Sequence, residues 1–184
     1  MLSRQEALRL VKERVKKENF VKHMLAVEAI MRALAKELGG DEELWGLAGL
    51  LHDLDFEETT SNPSLHGVKA CLLLEGLVPE EVLRAIRAHN YEHTGVKPET
   101  AMEKALVAAD AASGLLVACA LVMPNKRLEE VKLETVIRKF KAKDFARGVS
   151  RERILMCEQL GLSKERFLSI ALEALKSIAG ELGL

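Results

Sequence analysis

Five histidines stand at positions 23, 52, 66, 89 and 93, and none follows in the remaining half of the chain. One of them, His52, is joined directly to Asp53 where the apolar run "LAGLL" gives out, and a later carboxylate, Asp110, interrupts "KALVAADAASGLL". Imidazole nitrogens and carboxylate oxygens are the ligand atoms of divalent transition-metal sites, but the same pair at a helix end also serves as a capping detail, and a lone histidine on a helix is commonly a hydrogen-bonded packing residue. Asp110 sharpens the choice. An anion set among alanines and leucines costs on the order of several kcal/mol unless it is paired. Lys104 is the only nearby basic residue in sequence, so a distant basic side chain or a metal must compensate it. Cys71, Cys119 and Cys157 are odd in number, far apart and set among aliphatic residues, which suits buried thiols in a reducing compartment and offers no thiolate site.

The elements that must carry these residues are helices. Apolar residues recur at three- and four-residue steps nearly throughout, and alternating β-branched runs bounded by turns are lacking, so the fold class is all-α. With 184 residues, 48% of them hydrophobic and 30% charged, the chain has the size and make-up of one domain around one core. Ser3 and Glu6 form a capping box for a first helix to about Lys17, and a second runs from about Phe20 to Gly39-Gly40. Asp41 caps a short third helix that carries Trp45, Leu47, Leu50 and Leu51 inward and ends at His52. Pro63 suits the first position of a helix to about Gly76, and Pro79 begins another that ends near Asn90. Further helices are expected over about 99–122, 128–141, 150–160 and 163–179. The last of these, being free of histidine, read as scaffold or as a partner surface, through which a homodimer is possible.

Net charge is −1, from 27 basic and 28 acidic side chains interleaved along the chain, so there is no electrostatic case for a nucleic acid polymer or an anionic membrane as partner. A small ligand is the expectation. The longest uncharged apolar stretch, 111–123, is too short to span a bilayer, and the amino terminus does not read as a secretory signal, so a cytoplasmic location is expected.

The order His, His-Asp, late Asp on helices resembles the HD-domain superfamily of metal-dependent phosphohydrolases, carried by "KHMLAVEAI", "AGLLHDLDFEE", "LHGVKACLLLEGL", "IRAHNYEHTG" and "ALVAADAASGLL" over about residues 20–120. The resemblance implies an HD-type helical bundle across 1–184, with the metal-binding part at about 20–120 and additional C-terminal helices at about 125–184. It also implies one divalent metal held by His23, His52, Asp53 and Asp110. His66 and His89 are placed as in the binuclear branches, which implies a second ion on His66 and His89 with Asp53 bridging, and paired ions in such sites sit about 3.5–4 Å apart. Iron, manganese, zinc, nickel or cobalt suits these ligands. Bound there, such ions make an electropositive pocket that attracts phosphate and activates a water for attack at phosphorus, with His52 and Asp53 at the catalytic centre.

The chain departs from the pattern H-D-I-G-K, whose lysine helps bind phosphate: Asp55 and Phe56 hold the last two places. Lys69, three residues after His66, is the first candidate to replace it, ahead of Arg87 and Lys97. His93 is a candidate substrate contact, since on a continuing helix it would share a face with His89, although "HNYEH" lacks the metalloprotease arrangement H-E-x-x-H. Asp55, Glu57 and Glu58 form an acidic lip, from which Asp55 could orient a water or a ligand histidine. The expected function is hydrolysis of a small phosphorylated molecule, a nucleotide or another phosphate ester. Two alternatives share the ligand set: a binuclear iron oxygenase of the myo-inositol oxygenase type, and a non-catalytic nucleotide or metal sensor.

Overall fold

A computed structural model describes all residues 1–184. It contains twelve α-helices and three short 3₁₀ turns, with no strand. The helices are α1 Arg4–Arg14, α2 Glu18–Leu38, α3 Glu42–Leu51, α4 Phe56–Thr59, α5 Val68–Leu74 and α6 Glu80–His89. They continue as α7 Tyr91–Thr94, α8 Ala101–Leu121, α9 Leu133–Lys141, α10 Arg151–Leu155, α11 Lys164–Ser177 and α12 Ala179–Leu182. The expected start signals operate: Ser3 and Glu6 form the reciprocal capping box of α1, and the Asp41 carboxylate accepts from the N–H groups of Glu43 and Leu44 at the head of α3. Thr100 and Glu103 make a second capping box at α8. Gly39 ends α2 in the left-handed conformation.

The two longest helices, α2 and α8, pack on each other and form the spine, with α3 laid closely along α2. Gly49 permits that approach, because a Cβ there would lie 2.9 Å from backbone atoms of Val27 and Glu28. Helix α8 is long and apolar enough to cross a membrane by length and composition, yet it lies in the centre of the fold and most of its apolar stretch is buried. Packing of a core helix accounts for its hydropathy. Ion pairs tie the periphery: the buried Glu28 accepts from Arg4 of α1 (2.6 and 3.0 Å) and from Arg32 of its own helix (3.1 Å), which fastens α1 to α2.

One expected helix is interrupted and another ends where expected, and both ends matter for the site. The helix from Pro63 to about Gly76 is a 3₁₀ turn, Pro63–Leu65, followed by α5 from Val68. Between them Gly67 takes φ +84°, where a Cβ would also stand 2.9 Å from the Ile86 carbonyl oxygen. As expected, α6 ends next to Asn90, at His89, and Asn90 turns the chain before α7. The segments expected at 128–141, 150–160 and 163–179 each begin or end in 3₁₀ or separate short helical turns, so α9, α10 and α11 are shorter than the periodicity predicts.

Candidate metal centre

Helix ends and one facing surface bring six side chains together. His23 lies on α2, Asp110 on α8, His52-Asp53 just past α3, His66 in the bend before α5, and His89 at the last position of α6. Asp53 is central: its Oδ2 is 3.4 Å from His23 Nε2, while its Oδ1 is 3.3 Å from His52 Nε2, 3.2 Å from His66 Nε2 and 3.5 Å from His89 Nε2. Asp110 Oδ1 is 3.1 Å from His23 Nε2 and 3.7 Å from His52 Nε2. His23, His52 and Asp110 form one compact group of possible ligands, and His52, Asp53 and His89 a second. His66 adjoins the second, with its Nε2 3.0 Å from that of His89. Asp53 thus stands between the two groups, with Oδ1 facing His52, His66 and His89 and Oδ2 facing His23.

The outer nitrogens say which atom of each ring is free. His52 Nδ1 is 2.7 Å from the Gly49 carbonyl oxygen, His89 Nδ1 meets the Ile86 carbonyl, and His66 Nδ1 is 2.8 Å from Asp55 Oδ1. His23 Nδ1 is 3.0 Å from Ser113 Oγ, whose own hydrogen is donated to the Asp110 carbonyl (2.8 Å), leaving the hydroxyl oxygen to accept from the ring. In all four rings Nδ1 is therefore the donor, and the Nε2 lone pair points inward. Opposed lone pairs at 3.3 Å (His23 with His52) and 3.0 Å (His66 with His89) repel unless a cation lies among them. A divalent metal fits that donor set, with neutral imidazoles, hard carboxylates and hydrogen-bonded outer nitrogens.

A proton is the substitute when metal is absent. Burial disfavours a charged His66, but hydrogen bonds with Asp53 and Asp55 outweigh it and hold the ring protonated up to about 9. Burial likewise opposes a charged His52, which Asp53 and Asp110 nevertheless raise well above the usual range, whereas burial keeps His89 below it. Asp53 and Asp110 are pushed up by burial, yet their histidine neighbours hold both well below the usual carboxylate range. The cysteines stay apart: burial lifts all three thiols to about 11.

Asp55 is not part of a solvated lip. It is fully buried, and beyond His66 it accepts from the N–H groups of Gly67 (2.9 Å) and Ala70 (2.8 Å), fastening the start of α5 to the site. Glu57 accepts from the N–H groups of Lys16 and Lys17, which joins the α1–α2 turn to α4.

A cavity of about 510 Å³ opens onto the cluster, lined by His23, Asp53, His66, His89 and Asp110 together with Asn19, Phe20, Phe56, Asn90 and Arg153. Lys69 and His93, named from sequence as substrate contacts, are not among these residues. The bend at Gly67 takes His66 off the helix that carries Lys69, so the three-residue spacing no longer implies a shared face. The turn at Asn90 does the same to His93, which lies exposed on α7. Arg87 is paired with Glu80 on the surface, and Lys97 is exposed.

Sequence reasoning passed over two residues. Asn90 donates to the carbonyl oxygens of Pro63 (2.9 Å) and His66 (3.0 Å) and so holds the His66 bend against the end of α6; an asparagine after a helical histidine was the faint signal. Arg153, from the C-terminal part read as scaffold, donates from Nη2 to Asp110 Oδ2 (3.2 Å) and to the His89 carbonyl oxygen (2.5 Å). It is the distant basic side chain that Asp110 called for, and nothing in its local sequence marked it.

Comparison with known proteins agrees with this arrangement. The family described as HD domain matches residues 20–115, the span that holds all six clustered side chains. Among curated proteins, ribonuclease Y of Aquifex aeolicus is 32% identical over 170 residues, covering 90% of this chain and 30% of that protein. Ribonuclease Y of Lawsonia intracellularis is 29% identical over 171 residues, 90% of this chain and 31% of the relative. The corresponding protein of Desulfotalea psychrophila is 31% identical over 142 residues, 75% of this chain and 26% of the relative. The chain thus spans about a third of the length of the curated relatives it matches. No solved structure matches it significantly. With the motif order, the helical frame and the family match in agreement over residues 20–115, the chain belongs to the HD-domain family.

Proposed function

We propose that this chain is a metal-dependent phosphohydrolase whose substrate is a nucleotide or a related phosphate ester. The observation that carries the reading is the set of four Nε2 lone pairs and two carboxylates converging at the floor of an open cavity. A divalent ion bound there supplies Lewis acidity, lowering the pKa of water toward neutrality and stabilising charge on phosphoryl oxygens. His23, His52 and Asp110 would hold one ion and His66 and His89 a second, with Asp53 between them. The protein's own work is orientation: Gly49, Ile86, Asp55 and Ser113 fix the tautomer and direction of the four rings, so that ligand atoms need no reorganisation when substrate arrives. No side chain in the cavity is a serine, cysteine or lysine nucleophile, consistent with water as the attacking group.

A nucleotide is favoured by the cavity wall. Phe20 and Phe56 pack edge to face, with centroids 5.0 Å apart, and both line the cavity beside Asn19, giving an apolar surface with an amide for a planar heterocycle. A second reading is favoured by the relatives, whose name, ribonuclease Y, supports an RNA phosphodiester as the bond cleaved.

The test is an anaerobic activity panel on metal-loaded protein, covering mononucleotides, cyclic and linear dinucleotides and short single-stranded RNA, beside Asp53→Ala and a chelator-treated sample. Wild type is expected to bind one to two equivalents of transition metal and release product, while Asp53→Ala loses most of the metal and the activity. Hydrolysis that survives metal removal would sink the proposal. Oxygen uptake by iron-loaded protein without phosphate-ester cleavage would assign the oxygenase alternative, and tight nucleotide binding without turnover under any metal would assign a sensor.

A further inference from the structure

The lysine of the H-D-I-G-K pattern is absent, and Phe56 occupies its place on α4. Of the ten residues lining the cavity, Arg153 is the only lysine or arginine. It lies outside the matched family span and enters from α10, on the wall formed by His89 and Asp110.

Its contacts are those of a guanidinium held in place but only partly used. Nη2 alone serves the protein, donating to the His89 carbonyl oxygen and to one oxygen of Asp110, while Nη1 and Nε make no hydrogen bond within the chain. Three arginines use two nitrogens on the two oxygens of one carboxylate: Arg4 on Glu28 (2.6 and 3.0 Å), Arg32 on Glu43 (2.7 and 3.1 Å) and Arg166 on Glu37 (2.9 and 2.7 Å); Arg153, like Arg84 with Glu99 and Arg87 with Glu80, meets its carboxylate through one nitrogen. Arg153 thus compensates Asp110 through Nη2 alone, which leaves its other donors available. The ring of Tyr91, 5.7 Å from Cζ, steadies the guanidinium. The head of α10 is itself pinned by Arg151, which donates to the carbonyl oxygens of Lys139, Phe140, Ala142, Phe145, Ala146 and Val149.

We infer that Arg153 binds a phosphoryl oxygen of the substrate through its uncommitted donors, taking the role of the missing lysine from a different part of the fold. A fixed positive charge with free N–H donors beside the metal ligands is suited to an oxyanion, and it receives the group without ordering a flexible side chain. The inference rests on the reading above that the substrate carries phosphate.

The experiment is calorimetric titration of metal-loaded wild type, Arg153→Lys, Arg153→Met and Arg153→Ala with inorganic phosphate, with metal content measured on the same samples. Wild type should bind phosphate, and Arg153→Met should bind it about tenfold or more weakly at unchanged metal content, as loss of a charge-assisted pair implies. Arg153→Lys should fall between them, and free guanidinium should restore phosphate binding to Arg153→Ala. If Arg153→Met binds phosphate like wild type, or loses metal in proportion, Arg153 merely supports Asp110 and the inference is overturned. If wild type itself ignores phosphate, the phosphohydrolase reading fails first.

Discussion

Replacing Asp55 by asparagine separates the direction of a ligand ring from the presence of the ligand. Three N–H donors converge on this buried carboxylate: His66 Nδ1 at 2.8 Å on Oδ1, and the amides of Gly67 and Ala70 at 2.9 and 2.8 Å on Oδ2. An asparagine has one oxygen to offer, and keeping it on the two backbone amides preserves two bonds of the three. The NH₂ group then faces His66 and requires Nδ1 to accept, which moves the ring proton to Nε2 and removes the lone pair that a metal would use. The expected result is a folded protein, destabilised by about 1–2 kcal/mol for the exchanged hydrogen bond, with metal affinity on the His66–His89 side reduced about 10–100-fold. Alanine is harsher. It strands two buried amides at about 1–3 kcal/mol each, a large share of the typical stability of one domain. Urea unfolding and competition against a metal-binding dye measure the two effects. An Asp55→Asn variant that matches wild type in metal affinity would refute the assignment of Asp55 as the residue that sets the His66 tautomer.

Gly67→Ala should cost about 2 kcal/mol or more, combining a left-handed backbone with a Cβ 2.9 Å from the Ile86 carbonyl, and thermal melts with metal titration should show stability and His66-side binding falling together. Arg151→Met should destabilise by about 3 kcal/mol through six abandoned carbonyls and speed amide exchange over residues 142–150, while metal content holds. For pH, His66 is raised to about 9 in the metal-free fold, so its proton stabilises that fold fully below about 6.5, its unfolded value, and the contribution is lost as pH rises through 9. Metal competes with the same proton, so affinity should climb over this window with proton release, and the gap in melting temperature between loaded and chelator-treated protein should widen from about pH 6.5 to about 9.

The residue types and their order were enough to establish the helical class, most helix starts and the family. Capping boxes, glycine stops and three- to four-residue apolar spacing are local, and the clustered histidines with Asp53 and Asp110 are legible as letters. That these six side chains meet in one cluster depends on α2, α3, α6 and α8 crossing at a few close-packed points such as Gly49, which no local pattern encodes. Lys69 and His93, extrapolated along helices from His66 and His89, do not line the cavity, because Gly67 and Asn90 break the helical period between each pair. Arg153 stands 43 residues from Asp110 and 64 from His89, a meeting that exists only once α10 packs against α8. Short-range chemistry is written in sequence spacing, whereas the direction of a ring's lone pair or a guanidinium's free edge is set by partners that only folding delivers.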